Sequence, residues 1–160
     1  MNLSNNETQF LIHLQKKMQS QIMKIPAPGE NGDYPASDME NLQNFIFRMR
    51  IARGNHANRH KASYLLFYAK SLPLLRLDTD GQGLHTNADG TTIPPHTPHI
   101  HIYDEQEKDH NAYPLPSTFT DPLDFFQTLR NFLSYAKVID IDKLCVVAQG
   151  GLVFHEDVHR

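Results

Sequence analysis

The stretch Ala62-Ser63-Tyr64-Leu65-Leu66-Phe67-Tyr68-Ala69, followed by Ser71-Leu72-Pro73 and then Leu74-Leu75-Arg76-Leu77-Asp78, decides how this chain is read. Two runs rich in leucine and aromatic residues, separated by a short Ser- and Pro-containing break, have the form of consecutive strands. Upstream, Phe45, Phe47, Met49 and Ile51 alternate with Ile46, Arg48, Arg50 and Ala52. A period of two with one apolar face predicts a half-buried strand with a basic outer face, closed by the Arg53-Gly54-Asn55 turn. Downstream, after a polar and turn-rich segment over 79–98, His99 to Tyr103 predicts a fourth strand. Successive strands of this kind suggest an antiparallel meander.

Helices are expected on either side. Phe10, Leu11, Leu14, Met18, Ile22 and Ile25 recur at three- and four-residue steps, so the spacing predicts a helix over about 5–25, capped by Ser4 or Asn5 and ended by Pro26. Residues 26–38 contain Pro26, Pro28, Gly29, Gly32 and Pro35 and read as a turn-rich connection. Asp121, Pro122 and the apolar set Phe125, Phe126, Leu129, Phe132, Leu133 and Ala136 predict a second helix over 121–136. Leu144 to Val147 is a short possible strand. The expected architecture is α+β. It is one domain over 1–160, with a helix in 1–25, a mostly antiparallel sheet of about four strands in 42–103 and a C-terminal helix packed on the sheet.

Composition narrows the class. With 160 residues the chain is long enough for one core without staples. The net charge of −3 gives no argument for nucleic acid or membrane as partner. One cysteine, Cys145, excludes an internal disulfide. The first residues carry no basic region followed by an apolar one, and no run approaches a membrane span. A soluble protein of the cytoplasm is expected.

The chemistry concentrates in histidine. Six of the ten lie between residues 56 and 101. In a strand, His99 and His101 point to one face while Ile100 and Ile102 point to the other. Two adjacent imidazoles form a ligand pair for a divalent metal, and a loop folding back can add His85, Asp89 or His96. Pro94, Pro95 and Pro98 stiffen that loop, and Asp89-Gly90 makes the turn that returns it. Imidazole with carboxylate suits zinc, with manganese, nickel or iron as alternatives. The same spacing also fits a solvated polar face.

His155 and His159 form a further pair four residues apart. Arg48, Arg50, Arg53, Arg59 and Lys61 gather around the first hairpin as a surface for a partner, or as a charged edge that resists aggregation. Cys145 lies in an apolar run and reads as a small buried hydrophobe. No nucleophile elbow and no phosphate-binding glycine loop is present.

The ordered set Leu74-Leu75-Arg76-Leu77-Asp78, His85-x-Asn87-x-Asp89-Gly90, Ile93, Pro98-His99-Ile100-His101-Ile102-Tyr103 and Ala112-Tyr113-Pro114-Leu115 resembles a family of small proteins of Gram-positive bacteria and their prophages. That family carries a domain of unknown function. Ala88 departs from it where proline is usual, and His96 stands where cysteine is common. The set is also similar to zinc-containing phage anti-CRISPR proteins that inhibit Cas9-type nucleases. The resemblance implies a zinc-organised viral protein that binds a host CRISPR–Cas effector directly in the bacterial cytoplasm. The alternative is a metal-dependent hydrolase, a nuclease or the toxin of a toxin–antitoxin pair. There His85, His99 and His101 hold the metal and Asp89 or Asp78 serves as base.

Overall fold

The computed structural model describes residues 2–39, 45–55, 61–148 and 153–154. The expected α+β layout with about four strands is overturned, for the chain is mostly β. Helix α1 (Asn5–His13) leads into β1 (Lys16–Met18), β2 (Ile22–Lys24), β3 (Asn31–Asp38), β4 (Ile46–Arg53), β5 (Ala62–Tyr68) and β6 (Leu72–Asp78). Then come β7 (His85–Thr86), β8 (Thr92–Ile93), β9 (His99–Ile102), β10 (Ala112–Pro114), helix α2 (Phe125–Tyr135), β11 (Cys145–Val147) and β12 (Val153–Phe154). The main sheet has seven strands in the order β1-β3-β4-β5-β6-β9-β10. Every neighbouring pair in it is antiparallel. Two small sheets accompany it, β12-β11-β2 and the hairpin β7-β8.

The N-terminal helix is less than half its expected length. It starts as predicted, with a capping box in which Ser4 Oγ accepts from Glu7 N–H and the Glu7 carboxylate accepts from Ser4 N–H. It ends at His13, because Leu14 turns extended and Lys16–Met18 pairs with β3. The three- and four-residue spacing of Leu14, Met18, Ile22 and Ile25 is coincidental here. Ile22 is exposed, while its neighbour Met23 is buried. Sheet pairing has overridden a pattern that a helix fits equally well.

Residues 31–38, expected as loop, form an eight-residue strand. Its buried residues, Tyr34, Ala36 and Asp38, alternate as a strand requires. Gly32 and Pro35 hid this. Pro35 lies beyond the last β1 pair, Met18–Ala36, so no β1 residue is paired opposite it.

Helix α2 begins three residues later than predicted. Asp124 is the cap, accepting from Gln127 N–H at 3.0 Å, while Asp121 lies in a preceding turn that also receives the Thr128 hydroxyl. Its buried stripe of Thr128, Leu129, Phe132 and Leu133 covers one face of the sheet. Tyr64 of β5 meets it, with ring centroids 5.9 Å from Phe132 and 5.6 Å from Phe125. Phe132→Ala is expected to cost about 3–5 kcal/mol through lost transfer energy and a cavity that a sheet cannot collapse to fill. Urea denaturation checks it: a midpoint within error of the parent would contradict this packing.

One lysine joins both helices. Lys16 is fully buried, with Nζ donating to the carbonyls of Ile12 (2.9 Å), Leu14 (2.8 Å) and Ala136 (2.8 Å). The first two end α1 and the third ends α2, so one ammonium serves carbonyls that helix geometry leaves unpaired. It also stands 4.7 Å from the centroid of Phe47.

Candidate metal centre

Strand register builds the site. Strands β6 and β9 run antiparallel with Asp78 opposite His99 and Arg76 opposite His101. The alternating residues Leu75, Leu77 and Ile100 are buried in the core. One face of this strand pair is therefore oil and the other carries Arg76, Asp78, His99 and His101. On β5, Ser63 sits opposite Asp78 and donates its hydroxyl to it.

Asp78, His99 and His101 each offer one ligand atom, and these atoms all lie within 4.8 Å of one another. The Asp78 Oδ2 atom is 3.6 Å from His99 Nε2 and 3.5 Å from His101 Nε2. Ligand atoms bonded to zinc at ~2.0–2.1 Å in a tetrahedron stand about 3.4 Å apart, so these separations already match two edges of such a site.

The other ring nitrogens set the tautomers. His99 Nδ1 lies 2.8 Å from the Thr97 carbonyl, and His101 Nδ1 lies 2.9 Å from that of Asp109. A carbonyl only accepts, so both Nδ1 atoms carry hydrogen. In a neutral ring each Nε2 then presents a lone pair. Two lone pairs then face a carboxylate oxygen, an arrangement that a proton or a bound cation stabilises.

Protons and Arg76 supply that charge in part. The Asp78 hydrogen bond holds His99 above the ordinary histidine range, against its burial. Burial alone would raise Asp78, but the His101 and His99 imidazoles beside it, the Ser63 hydroxyl and the charge of Arg76 hold it well below the carboxylate range. The Arg76 guanidinium places Nε 3.2 Å from Asp78 Oδ2, Nη1 3.3 Å from Asp109 Oδ2 and Nη2 3.0 Å from His101 Nε2.

The β7-β8 hairpin brings a further imidazole to this face. The His85 ring centroid is 5.1 Å from His101, 6.1 Å from His99 and 5.0 Å from His110. Asn87 holds the hairpin down: its amide exchanges two hydrogen bonds with the backbone of Ala112 on β10, at 2.8 Å each. That pairing orients Asn87 Oδ1, so His85 Nε2 at 3.0 Å is the donor and Nδ1 keeps the lone pair. His110 Nε2 donates to the Thr86 carbonyl at 2.9 Å, leaving its own Nδ1 lone pair. Burial, with His101 beside it, pushes His85 below the ordinary histidine range.

The remaining expected residues have other positions. Asp89 is exposed and accepts from both the N–H and the hydroxyl of Thr91, closing the turn at Gly90. Its carboxylate is not among the grouped ligands. His96 is exposed and binds Asp80 through Nδ1, pinning the loop, and is likewise outside the group. Arg48 and Arg50 both engage Asp33, at 2.6 and 2.9 Å, and Arg48 lies 4.2 Å from the Phe67 centroid. Arg53 donates to the Pro26 carbonyl and lies 4.8 Å from the Phe125 centroid. Lys61 lines a cleft beside Asp78. Arg59, His155 and His159 lie outside the described residues.

From sequence alone Asp78 is a candidate base and His110 carries no distinguishing signal. The signal for Asp78 was present: Arg76 and Asp78 are the polar alternates of β6, as His99 and His101 are of β9. Only the pairing of the two strands joins them.

Fold and site together define a mostly β protein with a His/His/Asp group that can hold a metal ion, and no described helix is long and apolar enough to cross a membrane. The model of a family of unknown function, DUF6978, matches residues 3–138, and the chain belongs to that family. The matched span includes every residue of the centre. No curated protein and no solved structure matches the chain.

Proposed function

We propose that this chain is a zinc-binding protein whose ion is held by Asp78, His99 and His101, with a coordination position open to solvent. The observation that carries this is the convergence of two oriented Nε2 lone pairs on one carboxylate oxygen at tetrahedral ligand spacing. Two imidazoles and a carboxylate suit zinc better than the oxygen-only sets that calcium or magnesium takes. His85 is the nearest further imidazole on the hairpin side.

Asp78 also lines a surface cleft of about 360 Å³, together with Lys61, Ala62, Ser63, Arg76, Asp80 and Gly81. A three-ligand centre beside a cleft supports metal-assisted hydrolysis as the reaction class, since zinc lowers the pKa of a bound water toward neutrality. Inhibition of a Cas9-type nuclease by direct binding is supported by the motif resemblance alone. The described arginines proposed for that surface are engaged within the fold. A pull-down against Cas9 with and without guide RNA tests it, and absence of a complex under both conditions counts against it.

Elemental analysis of protein purified without chelator tests the centre itself. One zinc per chain is expected at pH 8. Protein that is metal-free as purified, and stays so after incubation with zinc, would remove the proposal. Loading is expected to fall away below about pH 6, because a ligating imidazole must lose its proton. His99 competes first: its pKa is raised, so it retains a proton at higher pH than an ordinary histidine. Undiminished zinc content at pH 5 would argue against histidine ligation.

A further inference from the structure

Resting on the zinc reading above, we infer that the loaded centre takes a phosphate-type oxyanion in the adjoining cleft, held between the ion, Arg76 and Lys61. The argument begins with Arg76. Its Nη2 is 3.0 Å from His101 Nε2, and that is the lone pair the metal uses. On loading, Nη2 loses its acceptor, while Nε remains on Asp78 and Nη1 on Asp109. A guanidinium anchored at two nitrogens then presents its third beside the ion. One oxygen on a metal and a second on an arginine N–H is a geometry suited to a tetrahedral oxyanion.

Charge agrees. A dication held by one carboxylate and neutral imidazoles keeps one uncompensated positive charge, while the charge of Arg76 is balanced by Asp109 and its contribution is a directed N–H. Lys61 lines the same cleft, and Gly81, with no side chain, leaves room at its wall. The one other acid there, Asp80, accepts from His96. A second cleft of about 250 Å³ continues from Lys61 and Ser63 past Arg53, Asn55 and Gln82, giving space for the ester groups of a larger phosphate compound. Ordinary surface charge would place its cations at random with respect to a ligand set. Here the arginine is hydrogen-bonded to the ligands themselves.

Calorimetric titration of inorganic phosphate into the full chain carrying one zinc equivalent tests this, with acetate as comparator and zinc content measured on the same sample. Phosphate is expected to bind one per chain, at least tenfold tighter than acetate and at least tenfold tighter than to the metal-free chain. Lys61→Gln is expected to weaken it severalfold and Arg76→Gln at least tenfold, with zinc content retained. No phosphate binding by fully loaded chain overturns the inference and leaves the zinc reading standing. Equal binding with and without zinc overturns it too, as does acetate binding as tightly as phosphate. Failure to load zinc at all removes both readings. Because Arg76 also braces Asp109, Lys61→Gln provides the independent arm: unchanged affinity in that variant excludes Lys61 from the site.

Discussion

His101→Ala is expected to lower zinc affinity by more than about a hundredfold, and Asp78→Asn to do the same, while His96→Ala and Asp89→Ala leave it unchanged. Changing an outer partner of a metal ligand commonly costs about 10–100-fold, so loss of a ligand atom costs more. Asp78→Asn is the sharper variant. It keeps the side chain's size and can still accept from Ser63, but removes the anionic oxygen that lies 3.5–3.6 Å from both Nε2 atoms. Competition with a chromophoric chelator reads the affinity. Added zinc should also raise the melting temperature of the parent and not of these two variants, since a ligand that binds only the folded state stabilises it by mass action. Parent-like zinc affinity in both variants would place the ion elsewhere or remove it. A loss in His96→Ala comparable to that in His101→Ala would mean that the loop, and not the β6-β9 face, supplies the ligands.

The second large effect comes from a residue with no role in the centre. Lys16→Met is expected to destabilise the fold by about 3–5 kcal/mol. Methionine fills much of the same space but leaves the carbonyls of Ile12, Leu14 and Ala136 without their donor, and an unsatisfied buried polar group costs about 1–3 kcal/mol. The pH dependence carries a distinct signature. Burial, with the Lys137 charge acting in the same direction, lowers Lys16 from the ordinary 10.5 to about 7. The folded state therefore releases this proton at lower pH than the unfolded chain does. Between about pH 7 and 10.5 the unfolded state binds more protons, so stability rises with pH across that window. Below it both states are protonated and the contribution is flat. The slope is bounded by about 1.4 kcal/mol per pH unit for one group, and the three carbonyls, which favour the ammonium, act against the burial that opens this window. Urea unfolding at pH 7, 8 and 9 should show the slope in the parent and its loss in Lys16→Met. A variant as stable as the parent would contradict the role assigned to this side chain.

Lys16 also shows where local reading of the sequence stops. In the pattern of residues 5–25 it occupies a polar position on a helix surface. Its burial depends on Ala136, which is 120 positions away, and no local spacing reports that. By contrast, β4, β5, β6 and β9 were legible because each alternates, or runs apolar, for long enough to define a face. Strand β3 was not, since Gly32 and Pro35 argue for a turn unless the neighbouring pairing is known. The centre divides the same way. That His99 and His101 share a face follows from period two alone. Asp78 as their third partner depends on β6-β9 register, and the place of His85 depends on Asn87 gripping β10. His110 follows Asp104-Glu105-Gln106-Glu107-Lys108-Asp109, an acidic run with the composition of a solvated loop, yet the Asp109 carbonyl in that run sets the His101 tautomer.

The bond from Lys16 to Ala136 has a consequence for synthesis. A ribosome releases α1 and β1 well before α2, and the acceptor at Ala136 follows Lys16 by 120 residues. Until then the lysine ammonium lacks one of its three carbonyls, and the β1 edge is without the bridge that Lys16 makes with Val138. The N-terminal segment must wait, hydrated, for its last partner. Commitment to the complete fold is thus postponed until α2 has been made, and a chain truncated before residue 136 is expected to be an easy target for proteolysis.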